Sequence, residues 1–422
     1  MPGHKGKNLT GIEKFDVTEI SGADKLFFPK GIIKESELNA EKIFGAKTFY
    51  SAEGSSPCVK AMLYLAVKHK KNDADNTILA ARNVHRSFTD AAALLGFNTV
   101  FLYPEENGYV KCVISPEKLY SALISLKKKP CAVYITSPDY SGNIADVKGL
   151  KEVCEKFGVP LLVDAAHGAY LKFLPKSQYP TDLGADMCCS SAHKTLPALT
   201  GAAYLHINEN ADKNFSENAD LALSLFCSTS PSYLILRSLD YLNKILSEDY
   251  AKKTETAALR VKTLKETFIK KGLTALGEEP LKITLAPKSF GYTGTELKNI
   301  LTEKNIECEF ADDDLITFMF SPFNRLSELK ALEKIIKALP KKEPITTLPP
   351  KFSPPKIKTD IRTAFLLESE TIPVALSKGR ILSYYPPECP PAIPIALGGE
   401  VIDEKTVKSF IYYGIETVSV LK

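Results

Sequence analysis

Between residues 77 and 163 short apolar runs alternate with amphipathic stretches, and this rhythm constrains the fold more than any other feature of the chain. Residues 77–80, 99–102, 132–136 and 160–163 are apolar runs of strand length. Between them, 87–95, 116–126 and 147–157 carry the spacing of helices with one apolar stripe. Gly96 follows the first of these helices where a left-handed residue ends a helix, and Pro116 suits the first turn of the second. Strand, helix and strand in repetition predict an α/β fold with a mostly parallel sheet covered by helices on both faces.

Farther along, 231–271 reads as one or two long helices, the second over 250–271. Strands at 283–285 and 315–318 and helices at 295–303 and 326–339 predict a smaller α+β domain. The expected division is a major domain over 1–235 with an N-terminal arm over 1–35, a small domain over 236–340, a linker over 341–358 and a C-terminal lobe over 359–422. The linker is read from a run of prolines and lysines. With 54 basic and 50 acidic residues the net charge is only +4, which gives no reason to expect a nucleic-acid partner. No apolar stretch approaches the roughly 20 residues of a membrane helix. The start of the chain lacks the apolar core of a signal peptide. Nine cysteines without metal spacing suit a reducing cytoplasm, and no metal site is expected; Cys188 and Cys189 read as core residues.

In open α/β sheets ligands bind beyond the carboxyl ends of the strands, so the polar residues there carry the chemistry. Four such places stand out. The run Leu161-Leu162-Val163 ends abruptly in Asp164, with His167 three residues on. As a loop carboxylate Asp164 would be ordinary; as a partner for a cationic ring nitrogen it would suit pyridoxal phosphate (PLP). Thirty residues later comes Ser190-Ser191-Ala192-His193-Lys194-Thr195. Most lysines are solvated, but one at the end of a buried strand is desolvated, with a lowered pKa, and forms an imine with an aldehyde. Glu53-Gly54-Ser55-Ser56-Pro57 opens a helix, with Ser56 expected as its cap and Pro57 at its first helical position, an arrangement fit for phosphate. Arg82-Asn83-Val84-His85 follows a strand, and a histidine there can lie on a pyridine ring. The order of phosphate loop, stacking residue, aspartate and lysine points to a PLP enzyme.

The motifs resemble those of the bacterial ornithine/lysine/arginine decarboxylases over nearly the whole chain. The resemblance rests on Pro2-Gly3-His4-Lys5-Gly6, on Gly22-Ala23-Asp24-Lys25-Leu26, on Ser190 to Thr200, on Ser228-Thr229-Ser230-Pro231 and on Tyr384-Tyr385-Pro386-Pro387. It implies the fold-type-I (aspartate-aminotransferase-like) architecture, with a mostly parallel seven-stranded sheet, a small α+β domain and a C-terminal lobe. It implies decarboxylation of arginine, lysine or ornithine to the amine and CO2 in polyamine-related metabolism. Lys194 would hold PLP as a Schiff base and later supply a proton, with His193 a second proton donor. Asp164 would pair with the ring nitrogen, His85 would stack and His167 would lie near the cofactor. Gly54, Ser55, Ser56, Ser191 and His193 would hold the phosphate. Ser228 and Thr229 would reach the partner's phosphate, so that a homodimer or higher homo-oligomer completes each site.

The sequence departs from the family pattern in three places. It starts at the opening motif, where relatives carry a further segment, so part of the subunit contact is expected to be missing. Ala165 follows Asp164 where the family commonly has Glu, and Glu388 replaces a Gly after Pro387. For the distal cation of the substrate the acidic candidates are Glu388, Glu400 and Asp312 to Asp314. The alternatives are a PLP-dependent aminotransferase or lyase, for which Arg237 or Arg325 would hold the carboxylate, and a non-catalytic partner protein on the same fold.

Overall fold

A computed structural model describes residues 1–105, 108–383 and 393–422. The chain forms two compact units. One comprises Met1–Leu102, Ile114–Ser137 and Ala145–Tyr250; the other comprises Tyr103–Val113, Pro138–Ile144 and Ala251–Lys422.

The first unit follows the alternation of its sequence. Its elements are α1 (Ile32–Phe44), β1 (Lys47–Ser51), α2 (Ser55–Lys68), β2 (Thr77–Ala81), α3 (Arg86–Leu95), β3 (Asn98–Leu102), α4 (Pro116–Ser125) and β4 (Ala132–Thr136). Then come α5 (Val147–Phe157), β5 (Leu161–Asp164), β6 (Met187–Ser190), α6 (Ala192–Thr195), β7 (Ala203–Ile207), α7 (Lys213–Glu217), α8 (Ala219–Ser224) and α9 (Tyr233–Ser247). The sheet has seven strands in the order β1-β7-β6-β5-β4-β2-β3. β6, β5, β4, β2 and β3 run parallel; β7 runs opposite to them, and β1, antiparallel to β7 at the end of the sheet, runs in their direction again. β2, β5, β6 and β7 are buried along their whole length, as expected of strands covered on both faces. Local chemistry sets the helix ends: Asp146 accepts the amide of Gly149 at 3.0 Å to start α5, and Gly158, at φ 64°, ends it.

Edge strand β1 is shielded rather than open. Glu37 of α1, 1% exposed, accepts the amide of Tyr50 at 3.1 Å. Burial pushes its carboxyl up to about 8. On β7, His206 meets Thr48 of β1 at 2.9 Å, and burial pushes its imidazole down to about 3, so the ring is a neutral core group.

The second unit holds α10 (Tyr250–Lys271), β8 (Thr274–Leu276), β9 (Lys282–Ala286), α11 (Gly294–Thr302), β10 (Phe310–Ala311), β11 (Ile316–Met319) and α12 (Leu326–Ala338). After them come α13 (Ile361–Leu366), β12 (Ser369–Pro373), α14 (Glu404–Tyr412) and β13 (Thr417–Leu421). β10-β11-β9-β8 make a four-stranded antiparallel sheet, and β12 pairs with β13. Residues 341–358 have almost no regular structure, yet the backbone of Lys342 bonds Phe290, that of Ile345 bonds Lys288, and Phe352 is buried. Among the described residues no helix is long and apolar enough to cross a membrane.

Candidate active site

Asp164 ends β5, where an apolar run meets the carboxyl edge of the sheet, and is 3% exposed. A carboxylate buried there needs hydrogen-bond donors to offset its lost hydration. It has three: Oδ1 accepts the amide of Ala166 at 3.0 Å and the thiol of Cys189 at 3.6 Å, and Oδ2 accepts the hydroxyl of Tyr134 at 3.1 Å.

Lys194 lies in α6, one turn beyond the end of β6, and its side chain is exposed. The strand stops at Ser190, and the turn beyond it carries the lysine. Its Nζ lies 3.2 Å from Nε2 of His167, a residue 8% exposed in the loop after β5.

His85 caps α3. Its Nδ1 accepts the amide of Ser87 at 3.2 Å and meets the Ser87 hydroxyl at 2.9 Å. An Nδ1 that accepts an N–H carries no proton, so the neutral ring is protonated at Nε2. The ring is exposed, but the protein packed around it lowers its pKa; the Asp164 carboxylate opposes this and the Lys194 ammonium adds to it. Both charges act on one imidazole, which places Asp164, Lys194 and His85 in one neighbourhood.

The phosphate loop differs in register from expectation. The cap of α2 is Gly54, not Ser56, and Pro57 is the third helical residue. Gly54 stands at φ 79° and ψ −174°, a conformation open essentially to glycine alone, and it turns the chain directly into the helix. No side chain caps this end, so first-turn amides are free to meet an anion; Pro57 lacks an N–H the helix would not use. The Ser191 hydroxyl donates to that of Ser55 at 2.8 Å, and Ser56 lies in the same turn. Nδ1 of His193 donates to the carbonyl of Ala202 at 2.9 Å, which fixes its ring near Gly54. Ser228 and Thr229 are exposed, and the amide of Ser228 donates to Glu53 at 2.7 Å, beside the phosphate loop of its own chain.

These residues fit PLP: a helix start with hydroxyls for the phosphate, a buried carboxylate for the ring nitrogen, a neutral imidazole and a reachable lysine. Residues 6–276 match the family model of the Orn/Lys/Arg decarboxylase major domain. The chain belongs to the Orn/Lys/Arg decarboxylase family. It is 30% identical to an arginine decarboxylase of Bacillus subtilis (strain 168) over 454 residues, covering 99% of this chain and 90% of the relative. An arginine decarboxylase of Halalkalibacterium halodurans is also 30% identical, covering 96% of this chain and 88% of that one. Among solved structures, the Francisella novicida lysine decarboxylase superposes with a TM-score of 0.79 at 18% identity, covering 100% of this chain and 78% of its own. Fold type I is thereby established, and this protein is a PLP-dependent amino acid decarboxylase.

The second unit of this decarboxylase uses internally the acids considered for the substrate's distal cation. Asp314 accepts Lys288 Nζ at 2.6 Å and the Tyr412 hydroxyl at 2.8 Å. Asp312 accepts the amides of Asp314 and Leu315, and Asp313 the hydroxyl of Thr295. Glu400 accepts the amide of Leu397 at 2.7 Å. Glu388 and the Tyr384 to Pro387 motif lie outside the described residues. Arg325 is bound to Glu328 at 2.8 Å, and the guanidinium of Arg237 covers Phe15 at 5.0 Å.

Three residues near the site were not singled out from sequence. Tyr134 and Cys189 read as ordinary strand residues, yet both donate to Asp164. Asn83, two residues before His85, is 5% exposed, and neither atom of its amide has a partner among the described residues. A tyrosine inside an otherwise aliphatic run was the one available signal.

Proposed function

We propose that this decarboxylase removes the α-carboxylate of a basic amino acid, with arginine as the first candidate, releasing CO2 and agmatine into polyamine metabolism. Support for arginine comes from the curated relatives named as arginine decarboxylases, and support for the reaction from the grouping of Asp164, His85, His167 and Lys194. When bound, PLP supplies a carbonyl for the substrate's amine and a cationic ring that draws electrons from the breaking bond.

The chain's own residues divide the remaining work. Asp164 pairs with the ring nitrogen through a carboxylate already fixed by three donors. Neutral His85 gives the ring an uncharged face. The start of α2, with Gly54, Ser55 and Ser56, holds the phosphate, and Ser191 and His193 close that pocket. Lys194 would hold the cofactor through Nζ and, once the substrate's amine has displaced it, would deliver a proton from Nζ to the substrate's α-carbon. His167, at 3.2 Å from Nζ, sets the direction of that ammonium.

The working form is a cytoplasmic homodimer or larger homo-oligomer. Exposed Leu9, Ile12, Phe15, Ile20, Phe28 and Ile32 support an apolar subunit contact along the N-terminal arm. Exposed Ser228 and Thr229 complete the partner's phosphate site.

Mass spectrometry of products tests the reading. PLP-loaded protein is incubated separately with arginine, lysine and ornithine beside Lys194→Ala. Agmatine from arginine with the native protein only is the expected result. Cadaverine or putrescine instead would change the substrate, and a keto acid or no product from all three would overturn the reaction. Light scattering that shows only monomers in the PLP-loaded protein would overturn the shared site.

A further inference from the structure

We infer that Tyr134 and Cys189 are positioning residues that hold the Asp164 carboxylate from the strands on either side and so keep the proton on the cofactor's ring nitrogen. This rests on the reading of Asp164 as the partner of that nitrogen.

The sheet register brings the three groups together. Asp164 on β5 pairs with Thr136 on β4 and with Cys189 on β6. Residues paired across neighbouring strands point to the same face, and so does Tyr134, two residues before Thr136. Strands on either side of Asp164 thus deliver one donor each to its carboxylate: the Tyr134 hydroxyl to Oδ2 at 3.1 Å, the Cys189 thiol to Oδ1 at 3.6 Å. Tyr134 is fully buried, and Phe88 packs on its ring at 4.8 Å between centroids, so the hydroxyl is held in place. A phenol at the centre of a parallel sheet is costly unless its O–H is bonded, and Asp164 is the acceptor it has.

Donors to a carboxylate stabilise its charged form. When the carboxylate faces a ring N–H, each donor therefore shifts the shared proton toward nitrogen. The thiol is the weaker donor, so its share is smaller. Neither residue needs to touch substrate; both act through Asp164.

The test uses the PLP-loaded protein with the cofactor labelled by 15N at its ring nitrogen, read by solid-state NMR. Tyr134→Phe keeps the ring and removes the hydroxyl. Its nitrogen resonance is expected to move toward that of an unprotonated ring, with the cofactor's dissociation constant raised about three- to tenfold as the ion pair weakens. Cys189→Ala should move the resonance the same way by less, and Cys189→Ser, a stronger donor, should return it to or beyond the native position. Resonances and affinities equal to the native protein's in both Tyr134→Phe and Cys189→Ala would overturn the inference. Asp164→Asn separates the two levels: if it moves the resonance while those variants do not, only the inference fails. If Asp164→Asn leaves the resonance unchanged, Asp164 is not the nitrogen's partner and both fall. Should Tyr134→Phe not fold, the Cys189→Ala and Cys189→Ser pair decides by the same criteria.

Discussion

Replacing Glu37 by Gln should remove a measurable part of the pH dependence of stability. Glu37 is 1% exposed, and burial raises its pKa to about 8, although Lys34 at 3.4 Å and the Tyr50 amide pull the other way and Asp220 adds to the rise. In the unfolded chain the carboxyl titrates near its ordinary value of 4.5. Between those two values the folded chain holds a proton that the unfolded chain has released. Stability from this group is therefore complete below the unfolded pKa and is lost as pH rises through the folded one. The slope in that window is at most about 1.4 kcal/mol per pH unit, so raising the pH from about 6 to about 7.5 costs up to about 2 kcal/mol. The pull of Lys34 is already contained in the value of about 8, so about 1–2 kcal/mol is the expected figure. The glutamine side chain would keep an oxygen for the Tyr50 amide and carry no titrating proton. Urea unfolding of both proteins at the two pH values gives the difference directly, because all other titrating groups cancel. A native-minus-variant difference constant within about 0.3 kcal/mol across that interval would show Glu37 ionised in the folded chain and paired with Lys34, and would refute the reasoning.

Three further outcomes follow from the same structure. Lys282 and Glu279 form a buried pair at 2.9 Å, both side chains 1% exposed; Lys282→Met should cost about 3–5 kcal/mol in urea unfolding, and adding Glu279→Leu should recover most of it. Gly54→Ala places a side chain at φ 79°, so it should cost about 1–3 kcal/mol and weaken cofactor binding about tenfold in a fluorescence titration; native affinity would argue against a phosphate at α2. His85→Ala should weaken cofactor binding about tenfold and His85→Phe less than about threefold, since a flat ring suffices for stacking; equal losses would mean that the imidazole acts through a polar contact instead.

Much of the fold was legible because it rests on local patterns. The strand at 132–136 and the helix at 147–157 match β4 and α5, since apolar runs and amphipathic spacing report burial directly. The places of Asp164, His85 and Lys194 were also legible, because a polar residue that breaks off an apolar run falls at the sheet's carboxyl edge. The start of α2 was misread by two residues: the serine and proline chemistry of Ser56 and Pro57 was weighed, whereas the backbone of Gly54 made the turn. Lys194 was expected at the end of a strand, and it lies in the one-turn helix α6 that follows β6.

Sequence by itself determined the order of strands and helices, the chemistry at the strand ends and the family, all set by residues close together along the chain or by whole motifs. Tertiary structure decided what those residues touch. The pairing of β4, β5 and β6 chose Tyr134 and Cys189 as the donors to Asp164, and a shift of one residue in either pairing would turn a donor to the opposite face. Folding of the second unit likewise drew Lys288 and Tyr412 onto Asp314. Hydrogen bonds act over about 3 Å, and only the folded chain brings residues distant in sequence within that reach.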